Sequence, residues 1–486
     1  MTHGLHAAAA SILLLAACAH GAHRAGNCTL PSADRWSEYR SSHFVIDVAE
    51  GHRDPAHLVA AFEQLHAAVL AVVVAEPIEI PGRVRVVVVS SRNEVEEITG
   101  SQNIAGMFWV SNLGEPTILV GADDIDDLPQ IIAHELTHHV AYYLFPRQPR
   151  WFAEGIAQFV EGVAKVDKQG RRWAGGDPTS GLYAGNMKLT TAAELFRGGG
   201  GFYDSPYVTS WILYRFLWNE RSKQFSEFQR RLADGEAPSH AWRAAFPEWD
   251  PAAGKLGLMD GELDRYQAFG RGIRWEVKVG EVDRAYTTST ASSGDLHMLL
   301  LERKLDATNP ILWNRVRRNV FDEVLREEPN HPAAIAELAG LDGVPALPAL
   351  RAAAAARPAD GRAWYLLASA AEEPKEREAA LRRAVALWPD GALAHLALAS
   401  HLASTGRPRE ALPSANRAID LAPANPRAVS MLAKVALDLN RCREALLLQE
   451  RAVDVAAAGG VEAVGSDLSA LRRQLAEYRT RCERGG

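Results

Sequence analysis

The sequence lacks a strong charge bias. Over 486 residues the formal net charge is -7, and the isoelectric point is near 6.2. Neither value suggests a surface for polyanions, so nucleic acid is not an expected partner. Lysine is scarce beside arginine, which changes the charge chemistry little. Long apolar runs are also lacking. The N-terminal stretch from Leu5 to Ala17 is too short for a permanent membrane span, and no later segment reads as one. Cysteine is rare, four in all. What is present is 47% hydrophobic and 23% charged residues, the balance of an ordinary globular protein. The length suits roughly two to four domains.

The apolar N-terminal stretch ends in Leu15-Ala16-Ala17-Cys18. This resembles the lipobox of bacterial lipoproteins, in which the cysteine is acylated and becomes the new N-terminus. Only His3 and His6 stand where export signals usually carry Lys or Arg, and a plain cleavable signal peptide is the alternative. The resemblance implies a signal over 1–18 with lipidation at Cys18, a tether over 19–34, and a lipid-anchored place in the bacterial cell envelope, facing the periplasm or exterior. That compartment permits disulfides. With Cys18 lipidated, the odd set Cys28, Cys442 and Cys482 remains. Cys442 and Cys482 can pair within the C-terminal region, or the thiols stay unpaired.

Beyond the tether the pattern is mixed. HFVIDVA alternates like a strand from His43, and a helical stretch, PAHLVAAFEQLHAAVLAVVV, follows from Pro55. RVRVVVVSS and PTILVGAD read as buried strands. Leu128 to Leu144 reads as a helix, which Pro146 and Pro149 end. The chain is mostly helical from Trp151, with two or three helices over 205–246. WEVKVGEVDRAYTTSTASS, within 251–310, reads as a strand pair or an extended connector.

The predicted helix at Leu128 contains His134-Glu135-Leu136-Thr137-His138. Histidines at i and i+4 share one helix face, so both imidazoles can reach one Zn²⁺. Glu135 can then exchange a proton with the attacking water. A surface helix carrying two histidines is the bland alternative. IIAHELTHHVAYYLF is apolar enough to be buried, however, and unpaired polar groups are costly there. His139 is rotated off the ligand face and reads as a packing or surface residue.

After the proline turn comes Trp151-Phe152-Ala153-Glu154-Gly155-Ile156-Ala157. Together with the HExxH element this resembles the WxxEGxA signature of gluzincin metallopeptidases, and the small peptidase MA-like domains in particular. The resemblance covers roughly residues 40–250. It implies an α+β zincin-like metallopeptidase domain, 35–250, with His134, His138 and Glu154 as Zn²⁺ ligands and Glu135 as the catalytic base. It implies that Tyr207 stabilises an oxyanion, with Tyr203 as competitor, and that Glu115 to Val120 forms the edge strand beside a peptide substrate. Gly155 should let backbones pack closely. Gln158, one turn beyond Glu154, is either a partner to a ligand histidine or a surface residue.

From 311 to 486 the chain is helical and repetitive. A shift of 34 residues lays Leu398, Ala399, Ala411 and Ala418 on Leu432, Ala433, Ala445 and Ala452. These resemble the positions of tetratricopeptide repeats. Gly406 falls at a turn, Pro423 ends a helix, and 466–482 reads as a capping helix. The expected architecture is therefore a zincin-like domain, a connector or domain extension over 251–310, and an all-α tetratricopeptide-repeat solenoid. The expected function is an exported zinc metallopeptidase acting on a peptide or protein substrate, with repeats that bind substrate or a protein partner and a lipid anchor in the membrane. The alternative is a catalytically silent envelope scaffold that binds protein through its repeats.

Overall fold

The computed structural model describes residues 36–49, 54–74, 78–100, 104–122, 128–175, 189–197, 206–269, 273–303, 310–458 and 467–484. The expected signal and tether, with Cys18 and Cys28, lie outside them, as does Tyr203.

The first part of the chain runs β1 (Trp36–Arg40), β2 (Phe44–Ala49), α1 (Pro55–Val73), β3 (Val84–Val89), α2 (Arg92–Thr99), β4 (Gly106–Val110), β5 (Pro116–Gly121), α3 (Leu128–Leu144) and α4 (Arg150–Val160). It continues with β6 (Arg172–Ala174), α5 (Ala192–Phe196), α6 (Pro206–Glu220), α7 (Ser222–Ala233), α8 (Pro238–Ala245), α9 (Gly257–Phe269), β7 (Trp275–Val277), β8 (Thr287–Thr290) and α10 (Ser293–Leu301). One six-stranded sheet has the order β4-β5-β3-β2-β1-β8. Its centre is parallel (β2 with β3, β3 with β5) and its flanks are antiparallel.

The valine-rich β3 shows why the sheet is covered on both sides. Val84, Val86 and Val88 join the core that contains Val59, Phe62, Leu136 and Val140 of α1 and α3. Val87 and Val89 join the opposite core with Val95, Leu296 and Leu300 of α2 and α10. The period-two alternation of a strand serves both layers. By length and composition α1 is apolar enough to cross a membrane, contrary to the reading that no later segment is. Here Val59, Phe62, Leu65 and Val69 are buried in the core against the sheet.

Two expectations need correction. The segment Glu115 to Val120 is not the sheet edge, because β5 lies between β3 and β4, and β4 is the outer strand. The sequence 275–293 does not make a strand pair with itself. β7 pairs with β6, and β8 pairs with β1 at the far edge of the sheet. The unpaired side of β1 offers a ladder that the polar TTST segment fills, with all four of its residues exposed. Residues 275–301 thus pack with the first part of the chain.

The helices that follow are α11 (Pro310–Glu327), α12 (Pro332–Asp342), α13 (Leu347–Ala356), α14 (Gly361–Ala370), α15 (Pro374–Leu387), α16 (Ala392–Ser404), α17 (Pro408–Leu421), α18 (Pro426–Asp438), α19 (Cys442–Ala458) and α20 (Leu468–Arg484). From α12 they stack as successive hairpins. All eight residues that superpose on a 34-residue shift are buried, so alanine sets the close helix approach and leucine fills the seam. Gly406 has the left-handed φ of 76° that its turn requires. Cys442 and Cys482 form a disulfide that ties α20 to α19.

The stack docks on the sheet domain through ion pairs and turns. Arg362, at the start of α14, donates to Glu115 from Nε at 3.1 Å. His331 pairs with Asp295 at 2.8 Å. Tyr143 near the end of α3 donates to the Leu421 carbonyl at 3.3 Å, and Arg147 bonds Asp454 at 3.2 Å. The C-terminal end of α3 and the β4–β5 turn are therefore braced by the repeats.

Candidate metal centre

Helix α3 crosses behind the edge strand with its apolar residues Ile132, Leu136 and Val140 in the core. That orientation turns His134 and His138 toward α4. Their Nε2 atoms lie 3.1 Å apart. Glu154 Oε2 stands 3.7 Å from each. One donor atom from each of the three side chains thus surrounds a single point. Tetrahedral zinc at normal bond lengths separates its ligand atoms by about 3.3 Å. The three separations straddle that value.

Gly155 brings Glu154 to this position. A Cβ on Gly155 would fall 2.7 Å from the Ser210 carbonyl oxygen and 2.8 Å from Tyr214 Cβ of α6. Only a residue without a side chain allows this helix approach. Aromatic packing fixes the start of α4: Trp151 stacks on Phe196 at 5.5 Å and on Phe228 at 5.8 Å.

The outer contact of His134 is with Glu161, a residue the sequence does not single out. Its Oε1 lies 2.7 Å from His134 Nδ1. This fixes the tautomer: Nδ1 carries the hydrogen that Glu161 accepts, and Nε2 is left as the ligand atom. Gln158 does not fill this role. Glu161 lies just past α4 in a 3-10 turn, Glu161–Ala164, which returns the chain toward α3.

The charges agree with the geometry. Burial opposes a proton on His134, but the hydrogen bonds of Glu154 and Glu161 and the charges of Glu161 and Glu135 outweigh it, holding this imidazole well above its ordinary range. Burial lowers His138 to about 4, so near neutral pH it is uncharged and can offer a lone pair. Burial also opposes ionisation of Glu154, but the hydrogen bond and charge of His134, with the Arg150 charge, outweigh it and hold this carboxyl below its ordinary range. Burial pushes Glu135 up to about 7; His134 opposes this, and the Glu154 charge adds to it. Three carboxylates therefore face two imidazoles, an excess of negative charge that a bound dication would balance. This donor set fits Zn²⁺.

Glu135 is held from the strand side. The Phe108 backbone amide of β4 lies on its carboxylate side and opposes the rise of its pKa. Gly106 makes room, since a Cβ there would lie 2.5 Å from Ile131 Cγ2 and 3.2 Å from Glu135 Cγ. Tyr207, in the first turn of α6, accepts a hydrogen bond from Arg150 at 3.3 Å. Burial and the Glu154 charge raise its hydroxyl above its usual range. The structure thus groups Tyr207 with Glu154. His139 is buried between the rings of Phe108 and Tyr143, away from the ligand set.

No family model matches the chain, and no curated protein does. Part of the chain is similar to solved structures of helical-repeat proteins. One is TTC0263, a thermophilic tetratricopeptide protein of Thermus thermophilus, at 24% identity and a TM-score of 0.28, covering 35% of this chain and 92% of that one. A second is MamA, at 22% identity and a TM-score of 0.26, covering 30% and 90%. A third is PilW, a type IV pilus biogenesis factor, at 18% identity and a TM-score of 0.28, covering 39% and 92%. The C-terminal helices themselves form a stack of hairpins in which buried Leu and Ala recur at a 34-residue spacing.

Proposed function

We propose that this protein is a zinc-dependent hydrolase of peptide bonds, of the gluzincin kind, whose repeat stack holds the substrate or a protein partner. One observation carries the reading. The Nε2 atoms of His134 and His138 and Oε2 of Glu154 surround one point while Glu161 holds the outer nitrogen of His134. A bound zinc would supply Lewis acidity and make its water acidic near neutral pH.

The chain's own residues account for the proton transfers. Glu135, with its carboxyl near 7, accepts a proton from the attacking water and returns it to the leaving amine. The Tyr207 hydroxyl donates to the oxyanion that forms on the carbonyl, and Arg150 orients it. The outer edge of β4 offers backbone groups to an extended peptide next to Glu135. Anchorage in the bacterial envelope through Cys18 belongs to the same proposal and rests on Leu15-Ala16-Ala17-Cys18 alone.

The second reading is a scaffold without turnover. The stack of helical hairpins from α12 onward favours it, since such stacks bind protein segments in their concave groove. The discriminating experiment is substrate profiling with a broad peptide library on the chain lacking residues 1–18. The peptidase reading expects cleavage that Glu135→Gln abolishes while metal content stays unchanged. Zinc binding without any Glu135-dependent cleavage would establish the scaffold.

A further inference from the structure

Helix α1 carries Glu63 and His66 three residues apart, which sets both on one face. Each is 2% exposed. His43, the residue before β2, faces them. Its backbone N–H donates to Glu63 Oε1 at 3.1 Å, and its Nδ1 lies 2.7 Å from Oε2. The rings of His43 and His66 have centroids 4.4 Å apart. One ligand-capable atom from each of the three residues lies within 4.8 Å of the others.

A histidine–glutamate pair accounts for two of these residues and leaves the third unexplained. Among the described residues His66 makes ring contacts with His43 and Phe44 and no hydrogen bond. His139 of α3 is also buried, and its Nδ1 has no hydrogen-bond partner among the described residues. It projects roughly 100° around α3 from His138.

We propose that His43, Glu63 and His66 form a second site for a divalent transition-metal ion, separate from the His134–His138–Glu154 centre. Two imidazoles and one carboxylate suit Zn²⁺, Co²⁺ or Ni²⁺, whereas Ca²⁺ and Mg²⁺ take oxygen ligands. Glu63 is already oriented, since the His43 amide holds Oε1, while Oε2 contacts His43 Nδ1 and would turn from that ring to the ion. The His43 side chain is 38% exposed. It gives an ion its entry, and its rotation can close the set toward the ~3.3 Å ligand spacing of tetrahedral zinc. An ion here would tie the start of β2 to α1, and α1 packs on α3 in the same core.

The test uses the full chain carrying His134→Ala and His138→Ala, stripped of metal and titrated with Co²⁺ under visible absorption. The expected result is one bound equivalent, weakened at least about tenfold when His43→Ala is added. A Co²⁺-dependent rise in melting temperature, lost with His43→Ala, is the second readout. Circular dichroism checks that each variant folds. If the His134→Ala/His138→Ala chain does not fold, the comparison is made on metal content: two equivalents in the wild type and one in His43→Ala. Absence of Co²⁺ uptake in the folded double variant, or uptake indifferent to His43→Ala, overturns the proposal. Failure of the first centre looks different: wild type and His134→Ala/His138→Ala would then hold equal amounts of metal.

Discussion

Replacing Glu161 by Gln keeps the shape of the side chain and removes its charge. The Glu161 side chain is 10% exposed and accepts from His134 Nδ1 at 2.7 Å, so solvent screens the contact little. Removing such an outer partner typically weakens metal binding by about 10–100-fold, or about 1.4–2.7 kcal/mol. A second effect has the opposite sign. Glu154 and Glu161 hold the His134 pKa well above the ordinary histidine range, so near neutral pH zinc must displace a proton. Glu161→Gln lowers that pKa and eases the displacement. The loss of affinity is therefore smaller where His134 is still protonated and reaches its full size once the pH exceeds the raised His134 pKa. The assay is zinc competition against a chelating dye at several pH values, with Gln158→Ala as control. Gln158→Ala should stay within about twofold of wild type. A folded Glu161→Gln chain that binds zinc as tightly as wild type at high pH would refute the outer-contact argument.

Other outcomes follow from the same structure. Gly155→Ala forces α4 and α6 apart and should cost about 1–3 kcal/mol, read as a drop of several degrees in the melting temperature of the sheet domain; an unchanged melting temperature would show that the helices yield freely. Tyr207→Phe should leave zinc content unchanged and lower kcat by about 10²-fold, and a purely structural Tyr207 would leave kcat near wild type. At the docking face, burial raises the pKa of Glu115 and Asp295, but Arg362 and, for Asp295, the His331 hydrogen bond outweigh it, so both carboxyls sit below their ordinary values. Their contribution is complete above the unfolded carboxylate range and is lost as pH falls through the depressed values. Limited proteolysis between the sheet domain and the repeats should therefore rise below about pH 4. Arg362→Ala should raise it already at neutral pH, and a pH-independent cleavage pattern in wild type would contradict this.

The grouping of His134, His138 and Glu154 is legible in the sequence because each rests on local geometry. His134 and His138 need only a helix, and Glu154 follows from a second helix that returns after the prolines. Glu161 is hidden because its role depends on a 3-10 turn, which no periodicity announces. The edge strand is misplaced for a related reason. Gly106–Val110 is short and half-buried along most of its length, whereas Pro116–Gly121 is buried throughout and stands out as a strand. The same signal that marks a strand, full burial, argues against its being the edge. The partner of β8 escapes a sequence reading, because Thr287–Thr290 is wholly polar and is a strand only through its pairing with β1. The repeats are legible at α16 to α19, where small and large residues recur at one spacing. His43, Glu63 and His66 give no motif, since twenty residues separate His43 from Glu63 and only the packing of β2 against α1 joins them.

The central claim is that His134, His138 and Glu154 hold one metal ion. It is tested most directly by elemental analysis of purified wild-type chain beside Glu154→Gln and His134→Ala/His138→Ala, each shown to be folded. The account predicts one zinc per chain fewer in the His134→Ala/His138→Ala variant than in wild type, and weakened zinc retention in Glu154→Gln. Equal zinc in wild type and the double-histidine variant, or none in any of them after growth and purification with zinc, would contradict it.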